Sequence, residues 1–150
     1  MAIAACNAPD ETVISGAEER VLAIAAAFAA RGVRTQRLTV SHAFHSPLIV
    51  PARPALESAA RSLGLAAARI PMISSVSGAA AGEEVATAAG WVRQVELPVR
   101  FADALRTAAQ QGVDAFVEIG PRPVLCALGR RCLPGSSASW LPSLRQGRPD

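Results

Sequence analysis

Short apolar runs and turn signals alternate over the first part of the chain. Ala2–Cys6 and Thr12–Ser15 are both β-prone, and the run Asn7-Ala8-Pro9-Asp10 between them is rich in turn-forming residues. We therefore predict a hairpin or a pair of neighbouring strands at the start of the chain.

A helical spacing of apolar residues follows the second of these runs. Acidic residues just after Gly16 suit the first turn of a helix, Ser15 is a candidate N-cap, and Gly32 stands where helices commonly end. Residues 33–40 then alternate polar and apolar positions, which predicts a strand. The order strand, strand, helix, strand over residues 2–40 is most of a split βαβ unit of the ferredoxin-like type, without its first strand and helix.

The rest of the chain alternates helix-like and strand-like patterns. Helices are predicted at 51–63, 83–95, 101–111 and 123–132, and strands at 70–75 and 114–119. This alternation is typical of an α/β sheet. A linker at 134–139 precedes a tail. Residues 2–40 and the rest of the chain thus differ in pattern. We therefore predict that the chain starts inside one subdomain and then returns to another.

Composition narrows the function classes. Of the 150 residues, 51% are hydrophobic and only 4% aromatic, which predicts alanine-rich helical packing in one domain or in part of a larger one. The net charge is +3, and the basic residues, all arginines, are scattered without aromatic partners, so nucleic-acid binding is disfavoured. No signal peptide pattern and no apolar run of about 18 residues is found, so we expect no membrane span.

The cysteines indicate the redox environment of the protein. Cys6, Cys126 and Cys132 are an odd number in apolar or helical contexts, which favours free thiols in a reducing environment over a disulfide framework. The spacing of Cys126 and Cys132 does not match a usual metal-binding motif. We expect a cytoplasmic protein that binds no metal.

The candidate chemistry lies between Val40 and Leu48. This run holds both histidines of the chain, His42 and His45, and histidine is the side chain that exchanges protons near neutral pH. No G-x-S-x-G occurs anywhere in the sequence, so a candidate base is present without the serine that such a base usually activates.

Other interpretations of this run stay open on the residues alone. His45 fits a structural histidine with satisfied hydrogen bonds, and Phe44 fits a core residue. His42 and His45 are three positions apart and could share a helical face as metal ligands. Pro47 and the preceding strand instead predict a loop, and no third ligand has suitable spacing.

Several motifs together resemble the acyltransferase domains of modular type I polyketide synthases. The resemblance covers essentially the whole chain in the family's order. The motifs are Ala4-Ala5-Cys6-Asn7-Ala8-Pro9, Val13-Ile14-Ser15-Gly16, Arg31-Gly32-Val33-Arg34, Ser41-His42-Ala43-Phe44-His45-Ser46-Pro47-Leu48, Ile70-Pro71-Met72-Ile73-Ser74-Ser75-Val76-Ser77-Gly78, Trp91-Val92-Arg93-Gln94, Pro98-Val99-Arg100-Phe101, Val117-Glu118-Ile119-Gly120-Pro121 and Leu141-Pro142-Ser143-Leu144-Arg145.

The resemblance implies a fold and its boundaries. The family has a large α/β-hydrolase-like subdomain with a small ferredoxin-like subdomain inserted. The fold class is therefore α/β with an α+β insert: residues 1–40 are expected to be part of the small subdomain, 41–133 the C-terminal part of the large subdomain, and 134–150 the linker that follows it.

The resemblance also implies roles. His45 matches the catalytic base that deprotonates a serine, and the backbone carbonyl of Gln94 is the candidate acceptor that orients its ring. The serine, the glutamine-glycine segment that helps form the oxyanion hole, and the arginine that pairs with the substrate carboxylate lie upstream of residue 1 in that family. This chain is therefore expected to be inactive alone.

Two neighbours of the base match the family's selectivity positions. His42 and Phe44 belong to a His-Ala-Phe-His pattern that resembles malonyl-selective members, whereas Tyr-Ala-Ser-His resembles methylmalonyl-selective ones. The phenyl ring of Phe44 would fill the space that an α-methyl group needs.

The function expected from the resemblance is transfer of a malonyl unit from malonyl-coenzyme A, through a serine ester, to the phosphopantetheine thiol of an acyl carrier protein. The expected partners are that carrier protein, the missing N-terminal half of the acyltransferase and neighbouring synthase domains, with no bound cofactor. The alternative is a non-catalytic remnant or docking piece that contacts a carrier protein or a neighbouring domain.

Overall fold

The structure, a computed structural model, describes residues 1–144 as a set of helices with two small sheets. The strands and helices are, in chain order, β1 (Ala2–Ala8), β2 (Glu11–Ser15), α1 (Glu18–Ala29), α2 (Arg53–Arg61), α3 (Ala88–Glu96), α4 (Phe101–Gln110), β3 (Ala115–Glu118), α5 (Val124–Cys132) and β4 (Ser139–Pro142). Short 3₁₀ turns, Pro47–Ala52 and Glu83–Ala86, precede α2 and α3. The expected α/β character is confirmed.

The predicted hairpin at the start of the chain is confirmed. Strands β1 and β2 pair antiparallel around the turn at residues 9–10. The other edge of β1 pairs with Val99, whose N–H donates to Ala4 O at 2.9 Å and whose carbonyl accepts from Cys6 N at 2.8 Å. The hairpin is thereby attached to the segment between α3 and α4.

The helix after the hairpin begins later than its sequence indicates. Ala17 is the N-cap of α1 and makes no side-chain capping bond, so the prediction that Ser15 caps this helix is wrong. Ser15 instead pairs with Ala2 in the hairpin. Gly32, with a φ of 78°, follows the helix in the left-handed region that glycine adopts most easily.

Two predicted strands do not form. Residues 33–40 adopt no regular structure and are exposed, and within 70–75 only Ile73 makes a bridge, to Ala80. Alternation along the sequence is a local pattern, whereas a strand needs a hydrogen-bonding neighbour. Among the residues that the structure describes, no strand lies beside residues 33–40.

The sheet near the end of the chain contains a strand that the sequence pattern does not predict. Strand β4 pairs parallel with β3, inside the segment 134–150 that is predicted to be a linker. Trp140 of β4 is buried and stacks on Phe116, with ring centroids 4.4 Å apart. A Cβ at Gly129 would overlap the Trp140 ring, so α5 needs glycine there. Residues 145–150 of the predicted linker lie outside the described residues.

The core lies where α4, α5, β1 and β4 meet. Its buried members are Ala8, Ala102, Leu105, Cys126, Leu128, Cys132 and Trp140. Arg131 of α5 ties this core to the hairpin because its guanidinium donates to Asp10 and, at 2.7 Å, to Glu11. Within residues 1–144, no helix has the length and hydropathy needed to cross a bilayer.

A buried carboxylate joins β3 to α5. Glu118 is 9% exposed, and its carboxylate accepts from the N–H groups of Leu125 at 2.9 Å and Cys126 at 2.7 Å, in the first turn of α5. These amides have no partner within the helix. Burial raises the pKa of Glu118, but the bonds from Cys126 and Leu125 outweigh it and hold this pKa below its ordinary value.

We expect Glu118→Ala to lower the free energy of unfolding by about 1–2 kcal/mol at neutral pH, because two helix amides lose their acceptor. The folded pKa of Glu118 is depressed, so the carboxylate contributes fully above its unfolded pKa and loses its effect as the pH falls through the folded value. The penalty should therefore shrink in acid. Urea unfolding followed by circular dichroism checks this, with the exposed Glu19→Ala as control. A penalty that is the same in both variants, or independent of pH, would contradict the assignment.

Candidate active site

The loop that carries both histidines is fixed at its end by Ser46. This side chain is buried, donates to Ala43 O at 2.7 Å and accepts from Leu48 N at 3.3 Å, which makes it the N-cap of the 3₁₀ turn. Pro47 occupies the first turn, where its fixed φ suits a helical start. The cap holds the backbone on the C-terminal side of His45.

His45 has an unusual backbone conformation. Its φ is 58°, and no other non-glycine residue among residues 1–144 has a positive φ. The left-handed region is uncommon for side-chain-bearing residues, although histidine is enriched there. Its N–H donates to Val95 O at 2.9 Å, at the end of α3. The strain is thus held by the surrounding structure, as is typical of functional positions.

The imidazole of His45 is anchored to the same end of α3. Its Nδ1 lies 2.8 Å from the carbonyl oxygen of Leu97, which accepts hydrogen bonds only. Nδ1 therefore carries the hydrogen in this contact, and the neutral ring keeps the lone pair of Nε2 for another proton. That is the arrangement a general base needs.

The prediction that the Gln94 carbonyl orients His45 is wrong, because the carbonyl that accepts from the His45 ring belongs to Leu97. Gln94 lies inside α3, whereas Leu97 is the C-cap with φ −90° and ψ 155°, so its carbonyl leaves the helical ladder. The side chain of Gln94 has another role: its Nε2 donates to Ser75 Oγ at 2.9 Å.

His42 and Phe44, the predicted selectivity residues, lie together in the loop before His45. Their ring centroids are 5.9 Å apart with a 55° interplanar angle. His42 Nδ1 contacts Ser41 Oγ at 2.9 Å. Phe44 is 45% exposed, so it is not the core residue that one interpretation of the sequence allows.

A shallow apolar hollow lies beneath Phe44. Its volume is about 160 Å³, and it is lined by Phe44, Ile49, Ala52, Arg53, Leu56, Val92, Val95 and Glu96. Apart from Phe44, these residues come from the 3₁₀ turn, α2 and α3, so the hollow lies between the two helices.

Sequence reasoning missed one ion pair at this site. Arg53 at the start of α2 and Glu96 at the end of α3 make two parallel hydrogen bonds, from Nε to Oε1 at 2.7 Å and from Nη2 to Oε2 at 2.8 Å. The bond from Arg53 lowers the pKa of the Glu96 carboxyl. The residues are 43 positions apart, and nothing local in the sequence signals the pairing.

The residues described do not form a metal site. In residues 1–144, no group of three histidine, cysteine, aspartate or glutamate side chains lies close enough to hold an ion. His42 and His45 occupy a loop and share no helical face. What the segment offers chemically is one oriented imidazole beside an aromatic pair and an apolar hollow.

Known proteins resemble this chain in sequence and in fold. Residues 1–150 match the acyl transferase domain family along their whole length. The polyketide synthase GfsA of Streptomyces halstedii is 43% identical over 149 residues, which is 97% of this chain and 2% of that protein.

Solved structures of acyltransferases are also similar to this chain. The acyltransferase domain from the second module of the salinomycin polyketide synthase has a TM-score of 0.89 and 41% identity, over 99% of this chain and 35% of that one. The malonyl-CoA:acyl carrier protein transacylase FabD of Xanthomonas oryzae pv. oryzae has a TM-score of 0.85 and 31% identity, over 96% of this chain and 46% of that one.

The chain thus spans about a third to a half of these solved structures and a small part of the synthase. The match nevertheless extends through every motif on which the resemblance rests. The chain belongs to the acyl transferase domain family, as its resemblance to the acyltransferase domains of modular polyketide synthases predicts.

Proposed function

We propose that this chain supplies the general base and the acyl-selectivity loop of an acyltransferase. In this proposal, a malonyl group moves from coenzyme A to a serine and then to the phosphopantetheine thiol of an acyl carrier protein. The observation that carries the proposal is the ring of His45, whose Nδ1 is engaged by Leu97 O and whose Nε2 is left for proton transfer.

In the first half-reaction, Nε2 of His45 takes the serine proton as the serine oxygen attacks the malonyl thioester carbon. The carbon–sulfur bond breaks, and the imidazolium returns the proton to the departing coenzyme A thiolate. In the second half-reaction, Nε2 takes the proton of the carrier thiol, whose sulfur attacks the serine ester. The serine oxygen leaves and recovers the proton.

A main-chain carbonyl orients the base in this scheme. The Leu97 carbonyl fixes the tautomer and accepts a hydrogen bond from the imidazolium, two tasks that a carboxylate performs in serine hydrolases. A neutral acceptor stabilises the charged ring less than a carboxylate does. The ring therefore returns its proton to the leaving group more readily.

The nucleophile is assigned to another segment of the domain. The sequence contains no G-x-S-x-G, and the family resemblance assigns the serine, the oxyanion-hole segment and the carboxylate-binding arginine to a part upstream of these residues. We infer that the chain transfers no acyl group unless that part is supplied, and that residues 1–40 belong to the small subdomain and 41–133 to the large one.

The exposed apolar face of β3 supports a partner of this kind. Ile119, directly after the strand, is 90% exposed, and Val117 is also exposed. Among the described residues, β3 pairs with β4 alone. An upstream part of the same domain would cover this apolar surface. A docking role without catalysis also uses such a surface, and the transfer assay below distinguishes the two.

Phe44 is assigned the choice of acyl group. The ring lines the apolar hollow, and Phe44 directly precedes His45 in the loop; we therefore assign it the space beside the base. A malonyl group fits beside it, whereas the α-methyl group of methylmalonyl would need the space of the ring. We assign the reaction to the cytoplasm, a reducing compartment that suits the free thiols of Cys6, Cys126 and Cys132.

Transfer should depend on His45 once the upstream part is supplied in trans. We expect the chain, combined with the upstream part of the salinomycin domain, to move malonyl from malonyl-coenzyme A to a carrier protein. His45→Asn should lower the rate about 100- to 10,000-fold, because asparagine tolerates the left-handed backbone and provides no base. Radiolabelled transfer measures this, with Arg61→Gln as the control.

Full activity of the His45→Asn variant would overturn the assignment of the base. Absence of transfer by the wild-type pair, with the two parts shown to associate, would favour the docking role. Transfer by this chain alone would contradict the assignment of the nucleophile to another segment.

Selectivity should follow the size of residue 44. In the same complemented enzyme, we expect Phe44→Ser to raise the preference for methylmalonyl over malonyl by about 10- to 200-fold, the range available from one methyl group in an apolar pocket. The ratio of kcat/KM for the two thioesters measures the change. An unchanged ratio would show that Phe44 does not select the acyl group.

A further inference from the structure

Three consecutive residues at the end of α3 hold the segment that runs from His45 to Arg53. Val95 O accepts from His45 N at 2.9 Å, and Leu97 O lies 2.8 Å from His45 Nδ1. Between them, the Glu96 side chain takes both hydrogen bonds from Arg53. The contacts close a ring: His45, the 3₁₀ turn, Arg53, and the end of α3 back to His45.

The Arg53–Glu96 pair fixes direction as well as distance. Two parallel hydrogen bonds between a planar guanidinium and a planar carboxylate allow little rotation, which a single contact to a lysine ammonium would permit. Glu96 is only 17% exposed, so water screens this carboxylate less than a fully exposed one. The bond from Arg53 also lowers the pKa of Glu96, so the carboxylate stays ionised to lower pH than an unpaired glutamate.

Apolar packing between α2 and α3 is incomplete at this end of α3. The hollow of about 160 Å³ beneath Phe44 lies between α2 and α3, and Leu56, Val92 and Val95 line it. A gap of this size means that the facing side chains leave part of the interface without contact. Arg53 and Glu96 also line the hollow, so their ion pair spans the two helices beside the carbonyls used by His45.

We propose that Arg53 and Glu96 are positioning residues that hold the Val95 and Leu97 carbonyls in place for His45. The pair acts through the backbone and touches no substrate. The consequence for transfer rests on the proposed function, but the effect on His45 itself does not. The ion pair therefore links the start of α2 to the orientation of the His45 ring.

A second ion pair on α2 provides the matched control. Arg61 and Glu57 pair within the same helix, four positions apart. Arg61→Gln changes the charge of α2 by the same amount as Arg53→Gln. Any effect specific to Arg53 therefore reflects the link to α3 and not the charge of the helix.

Amide hydrogen exchange of the full chain tests the proposal. We expect Arg53→Gln and Glu96→Gln each to speed exchange of the His45 amide about tenfold, because its acceptor Val95 O is released more often. The Cys6 amide, which donates to Val99 O, should exchange at the wild-type rate. Arg61→Gln should change neither. The charge-swapped double variant, Arg53→Glu with Glu96→Arg, should restore most of the protection of His45.

Each other outcome counts against the proposal. Unchanged exchange at His45 would show that the carbonyls hold without the ion pair. Equal acceleration of exchange at His45 and Cys6 would show a loss of global stability instead of local positioning. A charge-swapped double variant that does not restore the protection of the His45 amide would show the same. A different result is that the variants show the expected exchange pattern while the wild-type chain transfers no malonyl in the complemented assay. That result would refute the proposed function and leave the positioning role intact.

Discussion

The hydrogen bond between His45 Nδ1 and the Leu97 carbonyl is the constraint on which the site depends. No substitution of a side chain removes this acceptor, so its place is set by where α3 ends. Pro98 follows Leu97 and disfavours a helical conformation at the preceding residue, which agrees with the ψ of 155° at Leu97. A proline thus turns the carbonyl out of the helix and toward the imidazole.

Features that local sequence determines were predicted well. The hairpin follows from two β-prone runs and a turn, and helices α3 to α5 follow from apolar periodicity and breakers such as Pro98 and Gly112. The histidine segment stands out in the sequence for the same reason: its residue types are informative whatever surrounds them. Membership of the acyl transferase domain family, which the motifs predicted in order, is confirmed by the comparisons.

Features that depend on distant partners were not predicted. Residues 33–40 have the alternation of a strand but lack a neighbouring strand among the described residues, whereas β4 has a neighbour and no clear pattern. The same limit explains the error at Gln94. The sequence identifies a helix end near residue 96, but only the folded geometry shows which carbonyl meets the ring. The Arg53–Glu96 pair has no local signal at all.

The neutral tautomer of His45 decides whether Nε2 is free to accept a proton. Long-range ¹H–¹⁵N spectra of the full chain at about pH 8.5 distinguish the two neutral forms of an imidazole. We expect the hydrogen of His45 on Nδ1, with Nε2 carrying the lone pair. His42 serves as the comparison within the same loop. A His45 ring protonated on Nε2, or an equal mixture of the two forms, would contradict this expectation.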